Sequence, residues 1–338
     1  MSNESGFIHF PADFVWGAAT SSFQIEGSPR LDGRGESIWD TFCRKPGAIQ
    51  DGSNGEVACD HVRLYVEDVD LMSQLGLQAY RFSISWSRVH PNGGGPINHA
   101  GLDFYDKLVD TLLAKGIEPY PTMYHWDLPQ ALEDKGGWLN RDTAKYFGDY
   151  AESLLDRLGD RVKTWTTLNE PFVSANHGYV TGEHAPGITS MEAGFAASHH
   201  LLLAHGYAGE RVRGLTADAR LAIVINFTPS EPASDAPEDL AELQRVNDLE
   251  NHWYIDPIAG KGYPAETAEH YNWEAEEVRD GDLELISAPL DLLGVNYYTR
   301  QIVGSSGALP LPDGTPQNTM GWELHPPSLG RLLRWIDD

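Results

Sequence analysis

The sequence predicts an α/β domain on a parallel β-sheet that curls into a (β/α)8 barrel, with about six of the eight β/α units present. Three observations lead to this prediction. β-rich runs alternate with helix-period segments, most of these runs are almost continuously apolar, as in strands covered on both faces, and polar or aromatic residues follow their ends. Because no shift in composition divides the chain, residues 1–338 are expected to form a single incomplete barrel domain.

The strands are predicted from runs rich in β-branched, aromatic and aliphatic residues. They cover residues 14–19, 79–86, 118–125, 163–168, 220–227 and 290–298. Amphipathic helical stripes lie between them, and Gly76, Gly116 and Gly159 follow three of these stripes, where helices commonly end. Since a closed barrel of this type needs two more strands, the sequence predicts an unfinished barrel with open edges.

The overall charge limits the classes of partner. The chain carries 24 Lys and Arg against 50 Asp and Glu, a formal net charge of −26, which disfavours nucleic acid and anionic membranes. Cys43 and Cys59 form no C-x-x-C pair, so neither a disulfide framework nor a cysteine zinc site is expected. The first residues lack a basic and an apolar signal region. We therefore expect a cytoplasmic protein that binds no membrane.

Polar and aromatic side chains follow several predicted strands. The parallel sheet is either doubly wound or closed into a barrel. An open, doubly wound sheet uses mainly its switch point for ligands, whereas a barrel gathers all its strand ends around one mouth, so the barrel is the better fit. Amides and imidazoles bind sugar hydroxyls, and aromatic faces stack on pyranose rings, so this composition is typical of a carbohydrate site. Taken singly, each residue is equally consistent with a structural role. The residues are Gln24, Arg88, His125, Trp126, Asn169, Glu170, Asn296 and Tyr298.

The segment TWTTLNEP, residues 164–171, gives the sharpest local signal. Its β-favouring part delivers Asn169 and Glu170 to the end of a strand, and Pro171 then interrupts the hydrogen-bond ladder. A glutamate at such a position is more often a salt-bridge partner than a catalyst. The other strand-end residues are what favour a catalytic interpretation.

Six motifs together resemble glycoside hydrolase family one. They are FVWGAATSSFQIEG, YRFSISWSR, YHWDLPQAL, TLNEP, GYVTGEHAPG and GVNYYT, in the family's order and approximate spacing from about Phe14 onward. The resemblance implies a (β/α)8 barrel and hydrolysis of β-glucosides and related β-glycosides with retention of configuration. It implies no metal and no organic cofactor, and a β-glucoside or oligosaccharide substrate.

The resemblance also implies roles for individual residues. Glu170 matches the acid/base that protonates the leaving oxygen and later activates water, and Asn169 matches the residue that holds the sugar 2-hydroxyl. Gln24 and His125 match hydrogen-bonding partners of the outer hydroxyls of the non-reducing sugar, with Trp126 packed beside them.

On the other side of the expected reaction centre, Arg81 and Tyr298 resemble the pair that positions and electrostatically supports the nucleophile. Asn296 is expected in the same pocket. Trp322, in MGWELHP, resembles the platform on which the leaving group stacks, although a tryptophan in a proline-rich loop is as often a loop anchor.

The sequence departs from the family at the nucleophile. The family places this glutamate in an I/V-T-E-N-G motif on the seventh strand and a Glu–Trp pair on the eighth, and neither occurs here. Glu323 follows no strand and is not expected to substitute. The chain is therefore expected to be inactive alone, and either to self-associate through its open edges or to need a complementing C-terminal segment.

Other functions remain open from the residues. A carbohydrate-binding pseudoenzyme would keep Gln24, His125 and Asn169 without turnover. A metal-dependent hydrolase needs clustered ligands, but adjacent residues of a helix such as His199 and His200 point apart. A nicotinamide enzyme is suggested only by a loose G-x-G-x-x-A match at residues 260–265, which contains proline and is interpreted as a turn.

Overall fold

The computed structural model of the protein describes residues 9–215, 218–273, 275 and 277–337. Within these ranges β1, β2, β3, β4, β5 and β7 form one parallel sheet in that order, and β6, β8 and β9 form a small separate sheet. The strands are β1 (Gly17–Ala19), β2 (Ala79–Ser83), β3 (Glu118–Tyr124), β4 (Thr164–Asn169), β5 (Arg220–Phe227), β6 (Ser230–Pro232), β7 (Leu292–Tyr297), β8 (Gln301–Gly304) and β9 (Gly307–Ala308).

Helices connect successive strands of the main sheet. In the described parts of the chain, two π-helical segments (Val173–Val180 and Asp248–His252) and two 3₁₀ turns (Leu31–Gly33 and Gly137–Leu139) also occur. The α-helices of the described residues are α1 (Ser22–Ile25), α2 (Ile38–Cys43), α3 (His61–Gln74), α4 (Trp86–Val89), α5 (His99–Ala114), α6 (Gln130–Glu133), α7 (Asp142–Leu158), α8 (Met191–Leu215), α9 (Pro237–Asn247), α10 (Trp253–Ile258), α11 (Ala265–His270), α12 (Asp282–Ile286) and α13 (Pro326–Asp337).

The main sheet is a curled set of neighbouring parallel strands, each hydrogen bonded to the next along the chain. This is the connectivity of a β/α barrel, in which each helix returns the chain to the same end of the sheet. Gly294 of β7 is needed for the close approach to β5, because an added Cβ would lie 2.5 Å from Val224 Cγ2. The prediction of an incomplete (β/α)8 barrel is confirmed, and β1 and β7 are the edges of the described sheet.

The strand boundaries differ from the prediction mainly at the first two strands. Pairing of β1 begins only at Gly17, and Phe14 and Trp16 pack with Phe10 through ring centroids 4.6–4.8 Å apart. All three rings are about half exposed, and we refer to them as the edge aromatic cluster. β2 stops at Ser83 because the chain turns into α4, which starts at Trp86.

The core lies between the sheet and its helices. Trp86 stacks on Tyr150 of α7 with ring centroids 5.1 Å apart, and both side chains are fully buried. The Tyr150 hydroxyl donates to the main-chain oxygens of Ile84 and Met123, both at 3.0 Å, so an outer helix is fixed to the ends of β2 and β3. No helix of the described residues has the length and apolar character needed to cross a bilayer.

Candidate active site

Glu170 is held at the end of β4 by an unusual backbone conformation. Its φ angle is +50°, a left-handed conformation that is costly for a residue with a Cβ. The strand also shifts register between Thr166 and Asn169, and the Glu170 N–H donates to Val224 O of β5 at 2.8 Å. Pro171 then follows without an N–H to continue the ladder. These features turn the Glu170 side chain out of the alternation of the strand.

The Glu170 carboxyl is buried and engaged on one oxygen. The residue is 2% exposed. Tyr298 Oη donates to Oε1 at 2.9 Å, and Asn296 Nδ2 donates to the same oxygen. Within the described residues both of its side-chain hydrogen bonds therefore fall on Oε1, which leaves Oε2 available to a ligand.

Asn169 connects the two sides of the site. Its Oδ1 accepts from Arg81 Nη1 at 3.0 Å and from Asn296 Nδ2 at 3.3 Å. Its Nδ2 lies 3.5 Å from His125 Nε2, and its main-chain oxygen accepts from Trp126 Nε1 at 2.9 Å. One buried amide thus fixes side chains from the ends of β2, β3 and β7 around the end of β4.

The electrostatics of the site follow from burial. Burial, together with the positive charge of Arg81, lowers the pKa of His125 to about 3, so this imidazole is neutral and can exchange hydrogen bonds with uncharged hydroxyls. Burial also lowers the pKa of Arg81, against the opposing effects of Glu170 and Tyr298. Removal of the Tyr298 hydroxyl from water and the nearby Glu170 carboxylate raise the pKa of Tyr298, which therefore stays a hydrogen-bond donor.

Gln24, His125 and Trp126 line a cavity of about 280 Å³ beside Asn169. Gln24 lies on the single-turn helix α1, and its side chain is exposed. Trp39 of α2 also lines this cavity. Glu170 is not among the residues that line this cavity, and Asn169 makes the connection because it contacts both His125 and the shared partner Asn296.

Trp322 and Glu323 have different surroundings. The Trp322 ring is 38% exposed and lies beside Tyr298 with centroids 5.4 Å apart, which places it at the rim near Glu170. Glu323 instead pairs with Arg300, at 2.9 Å from Nε and 3.2 Å from Nη2, and this guanidinium lowers the pKa of Glu323. Its carboxylate is therefore engaged by Arg300, and the expectation that it does not replace the nucleophile stays a prediction.

The expectation that Arg88 lies at the mouth is wrong. Its side chain is 1% exposed and its Nη2 lies 3.0 Å from Glu26 Oε2. Sequence alone could not show this partner, which is 62 positions away along the chain.

The adjacent histidines of α8 also have separate structural partners. His199 contacts Asp282 at 3.0 Å and His200 contacts Trp138 O at 2.8 Å. No group of three or more potential metal ligands occurs in the described part of the chain.

Two residues near the cavity were missed from sequence. His184, in the GYVTGEHAPG motif, lies with its ring centroid 5.3 Å from Trp39 and 5.6 Å from Trp126. Asp127 lies buried directly after Trp126. Both residues lie in motifs that resemble the family, His184 in GYVTGEHAPG and Asp127 in YHWDLPQAL, and these motifs are the signal that could have found them.

The arrangement combines hydroxyl-binding groups with a buried proton donor or acceptor. Gln24, His125 and Asn169 offer neutral amide and imidazole groups. Glu170 offers a carboxyl whose Oε2 accepts no hydrogen bond from the part of the chain that the structure describes. Within the described residues, Arg81 and Tyr298 make their side-chain hydrogen bonds to Asn169 and Glu170. The expected support of a separate nucleophile by this pair therefore stays a prediction.

Comparison with known proteins agrees with this chemistry. Glycosyl hydrolase family 1 matches residues 7–338. Beta-glucosidase A of Acetivibrio thermocellus is 43% identical over 98% of this chain and 76% of that protein, and the beta-glucosidase of an Agrobacterium species is 44% identical over 97% of this chain and 73% of that protein.

Solved structures show the same relationship. The family 1 β-glucosidase from Thermotoga maritima superposes with a TM-score of 0.91 at 42% identity, over 97% of this chain and 75% of that one. Its complex with glucoimidazole gives a TM-score of 0.93 over the same shares. Because the family match, the relatives and the barrel all cover nearly the whole chain, the protein is a hydrolase of the β-glucosidase type and belongs to glycosyl hydrolase family 1.

Proposed function

We propose that the protein is a retaining β-glucosidase that releases non-reducing terminal β-D-glucosyl residues, with Glu170 as the acid/base. The observation that carries this proposal is the Glu170 carboxyl itself. It is buried at the end of β4, held through Oε1 by Asn296 and Tyr298, and has Oε2 available. Held at one oxygen, the carboxyl has a fixed direction, as proton transfer to a bound glycosidic oxygen requires.

The reaction follows in two steps. In the first, a carboxylate attacks C1 while Glu170 gives its proton to the departing oxygen, so that a covalent glycosyl-enzyme forms and the aglycone leaves as an alcohol. In the second, Glu170 takes a proton from water as the water attacks C1, and the carboxylate is released. Two displacements on opposite faces return the β configuration.

The described residues supply one half of this pair. Retaining chemistry needs a second carboxylate about 5–5.5 Å from the first. We infer that it is brought against Arg81 and Tyr298 by strands that pair with the open edges β1 and β7. A segment taken from the part of a family 1 relative that this chain does not match is a suitable source. Without such a segment we expect no substantial hydrolysis.

The substrate class is supported by the hydroxyl-binding side chains. Gln24 and His125 lie together in the cavity, and Asn169 lies between His125 and the reaction centre. We propose that the first two bind outer hydroxyls and that Asn169 binds the 2-hydroxyl, with Trp126 beside them. The Thermotoga maritima relative has been solved with deoxynojirimycin, a glucose-shaped ligand that suits this arrangement.

The free thiols of Cys43 and Cys59 are consistent with a cytoplasmic location.

The test compares Glu170→Gln with Glu250→Gln in the chain supplemented with the complementing segment. Glu250 is a matched control, because burial raises the pKa of its carboxyl to about 7 and its partner is Gln301 of β8, at 2.9 Å. We expect Glu170→Gln to lower kcat for an alkyl β-glucoside by about 10²–10⁴-fold, the usual contribution of general acid catalysis. Glu250→Gln should stay within about twofold of the unsubstituted chain.

The same assay distinguishes the pseudoenzyme alternative. A chain that binds deoxynojirimycin but hydrolyses no glucoside when supplemented would be a carbohydrate-binding protein. Equal losses in the two glutamine variants would remove the special role of Glu170.

A further inference from the structure

A buried network of hydrogen bonds joins the ends of three strands, and two of its members are adjacent in sequence to residues that line the cavity of about 280 Å³. Ser22 Oγ donates to Asp127 Oδ2 at 2.8 Å, the Ser22 N–H donates to Ser83 Oγ at 2.7 Å, and Ser83 Oγ donates to Ser22 Oγ at 3.1 Å. All three residues are at most 3% exposed. Ser22 follows β1, Ser83 is the last residue of β2 and Asp127 follows β3. The hydrogen bonds therefore link the loops of neighbouring strands.

The two residues of the Ser22–Asp127 hydrogen bond each lie next to residues that we propose bind hydroxyls. Ser22 is the first residue of α1, which carries Gln24. A helix of one turn has no stability of its own, and the residue before it, Ser21, makes no side-chain capping bond. The position of Gln24 therefore depends on what holds Ser22.

Asp127, the partner of Ser22, directly follows His125 and Trp126. Trp126 has a φ angle of +75°, a strained conformation that needs support from its surroundings. Asp127 supplies such support from beneath the turn, since its carboxyl points to Ser22 and away from solvent. The Ser22–Asp127 bond thus connects the segment of Gln24 directly to the segment of His125.

Asp127 is not explained as an ordinary ion-pair member. The nearby Arg34 is engaged with Asp40 at 2.8 Å, and Asp127 Oδ1 has no hydrogen-bond partner among the described residues. Burial raises the pKa of Asp127 to about 7, although the Ser22 hydrogen bond and Arg34 oppose this rise. A buried carboxyl with half of its oxygens unpaired costs stability, so its placement requires another explanation.

We propose that Ser22 and Asp127 are a positioning pair that holds Gln24 at the correct distance from His125. Both binding side chains can then form hydrogen bonds to the outer hydroxyls of one terminal glucosyl residue. This proposal rests on the proposed function. The pair touches no substrate and acts only through the two binding residues. Its loss should therefore weaken binding of the outer hydroxyls, while proton transfer by Glu170 is left unchanged.

The test is isothermal titration calorimetry of Ser22→Ala, in the chain supplemented with the complementing segment, with deoxynojirimycin and with its analogue lacking the 4-hydroxyl. We expect Ser22→Ala to weaken deoxynojirimycin about tenfold, the effect of roughly one hydrogen bond, and to weaken the deoxy analogue less than about twofold, because the mispositioned group has no hydroxyl to bind. Ser153→Ala is the matched control. It removes a buried serine hydroxyl that lies 3.0 Å from His90 Nε2, outside the site, and should change neither affinity.

A second variant tests the hydrogen bond from its other side. Asp127→Asn keeps an oxygen that accepts from Ser22 and should stay within about threefold of the unsubstituted chain, whereas Asp127→Ala should lose as much affinity as Ser22→Ala. The double variant Ser22→Ala/Asp127→Ala should lose no more than either single one.

The outcomes separate the two proposals. An unsubstituted chain that does not bind deoxynojirimycin even when supplemented with the complementing segment would overturn the proposed function and the positioning pair with it. Binding that Ser22→Ala leaves unchanged, or weakens equally for both ligands, would overturn the positioning pair alone.

Discussion

Replacing Arg88 with methionine should destabilise the barrel strongly, because it leaves a buried carboxylate without its charge partner. Arg88 Nε and Nη2 donate to Glu26 Oε2 at 3.1 and 3.0 Å, and Tyr105 Oη donates to Glu26 Oε1 at 2.6 Å. The side chains of Arg88 and Glu26 are 1% and 6% exposed. Removing one member of such a pair costs about 3–5 kcal/mol, and we expect the free energy of unfolding to fall by this amount.

Urea unfolding followed by tryptophan fluorescence measures the loss. The control is Arg44→Met, which breaks a pair with Glu36 of similar length, 2.8 Å, but with both side chains more than half exposed, so it should cost less than about 1 kcal/mol. The double variant Arg88→Met/Glu26→Met should be more stable than Arg88→Met alone, because no charge is left buried. A loss in Arg88→Met no larger than in the control would refute this reasoning.

Three further outcomes are expected. Asp127→Asn should stabilise the fold relative to the unsubstituted chain by an amount that grows between pH 4 and 7 and then levels off. Burial raises the pKa of Asp127 to about 7, an effect that Ser22 and Arg34 oppose and Glu26 assists. As the pH rises, the unfolded chain therefore loses this proton before the folded chain does, and the stability of the unsubstituted chain falls across that window by up to about 4 kcal/mol. Thermal unfolding that shows no pH-dependent difference between the two chains would contradict this. The chain alone should self-associate through the edges β1 and β7 and the edge aromatic cluster, and light scattering that shows a monodisperse monomer without hydrophobic dye binding would be the opposite result. In the chain supplemented with the complementing segment, Trp322→Ala should raise KM for aryl glucosides about fivefold or more and leave deoxynojirimycin affinity unchanged, because the ring lies beside Tyr298 at the rim. Equal effects on both would place Trp322 elsewhere.

The fold was predictable because strand runs in a parallel sheet are apolar on both faces. The predicted starts at residues 79, 118 and 220 coincide with β2, β3 and β5. The C-terminal ends of the strands were less predictable. Trp86 suits a strand and a helix equally, and only its packing on Tyr150 fixes it in α4. Phe14 and Trp16 also look like strand residues, yet they pack on each other outside the paired part of β1.

The candidate site was predictable where motifs place residues at strand ends. The structure brings Asn169, Glu170 and Asn296 together by direct hydrogen bonds. Contacts between buried polar groups of different loops were not predictable. They explain why Arg88 is buried although it was expected at the mouth, and why the sequence did not single out Asp127. Their partners, Glu26 and Ser22, are distant in sequence and carry no pattern that points to them. The catalytic and binding roles themselves stay predictions.

The most direct test of Glu170 as acid/base is the reaction of Glu170→Ala with azide, measured in the chain supplemented with the complementing segment. An aryl glucoside with a good leaving group forms the glycosyl-enzyme without a proton donor, so this variant should stall at the second step, where water needs a base. Azide needs no base and should accelerate turnover, with β-glucosyl azide as the product identified by NMR. No acceleration by azide, or a product of α configuration, would contradict the assignment of Glu170.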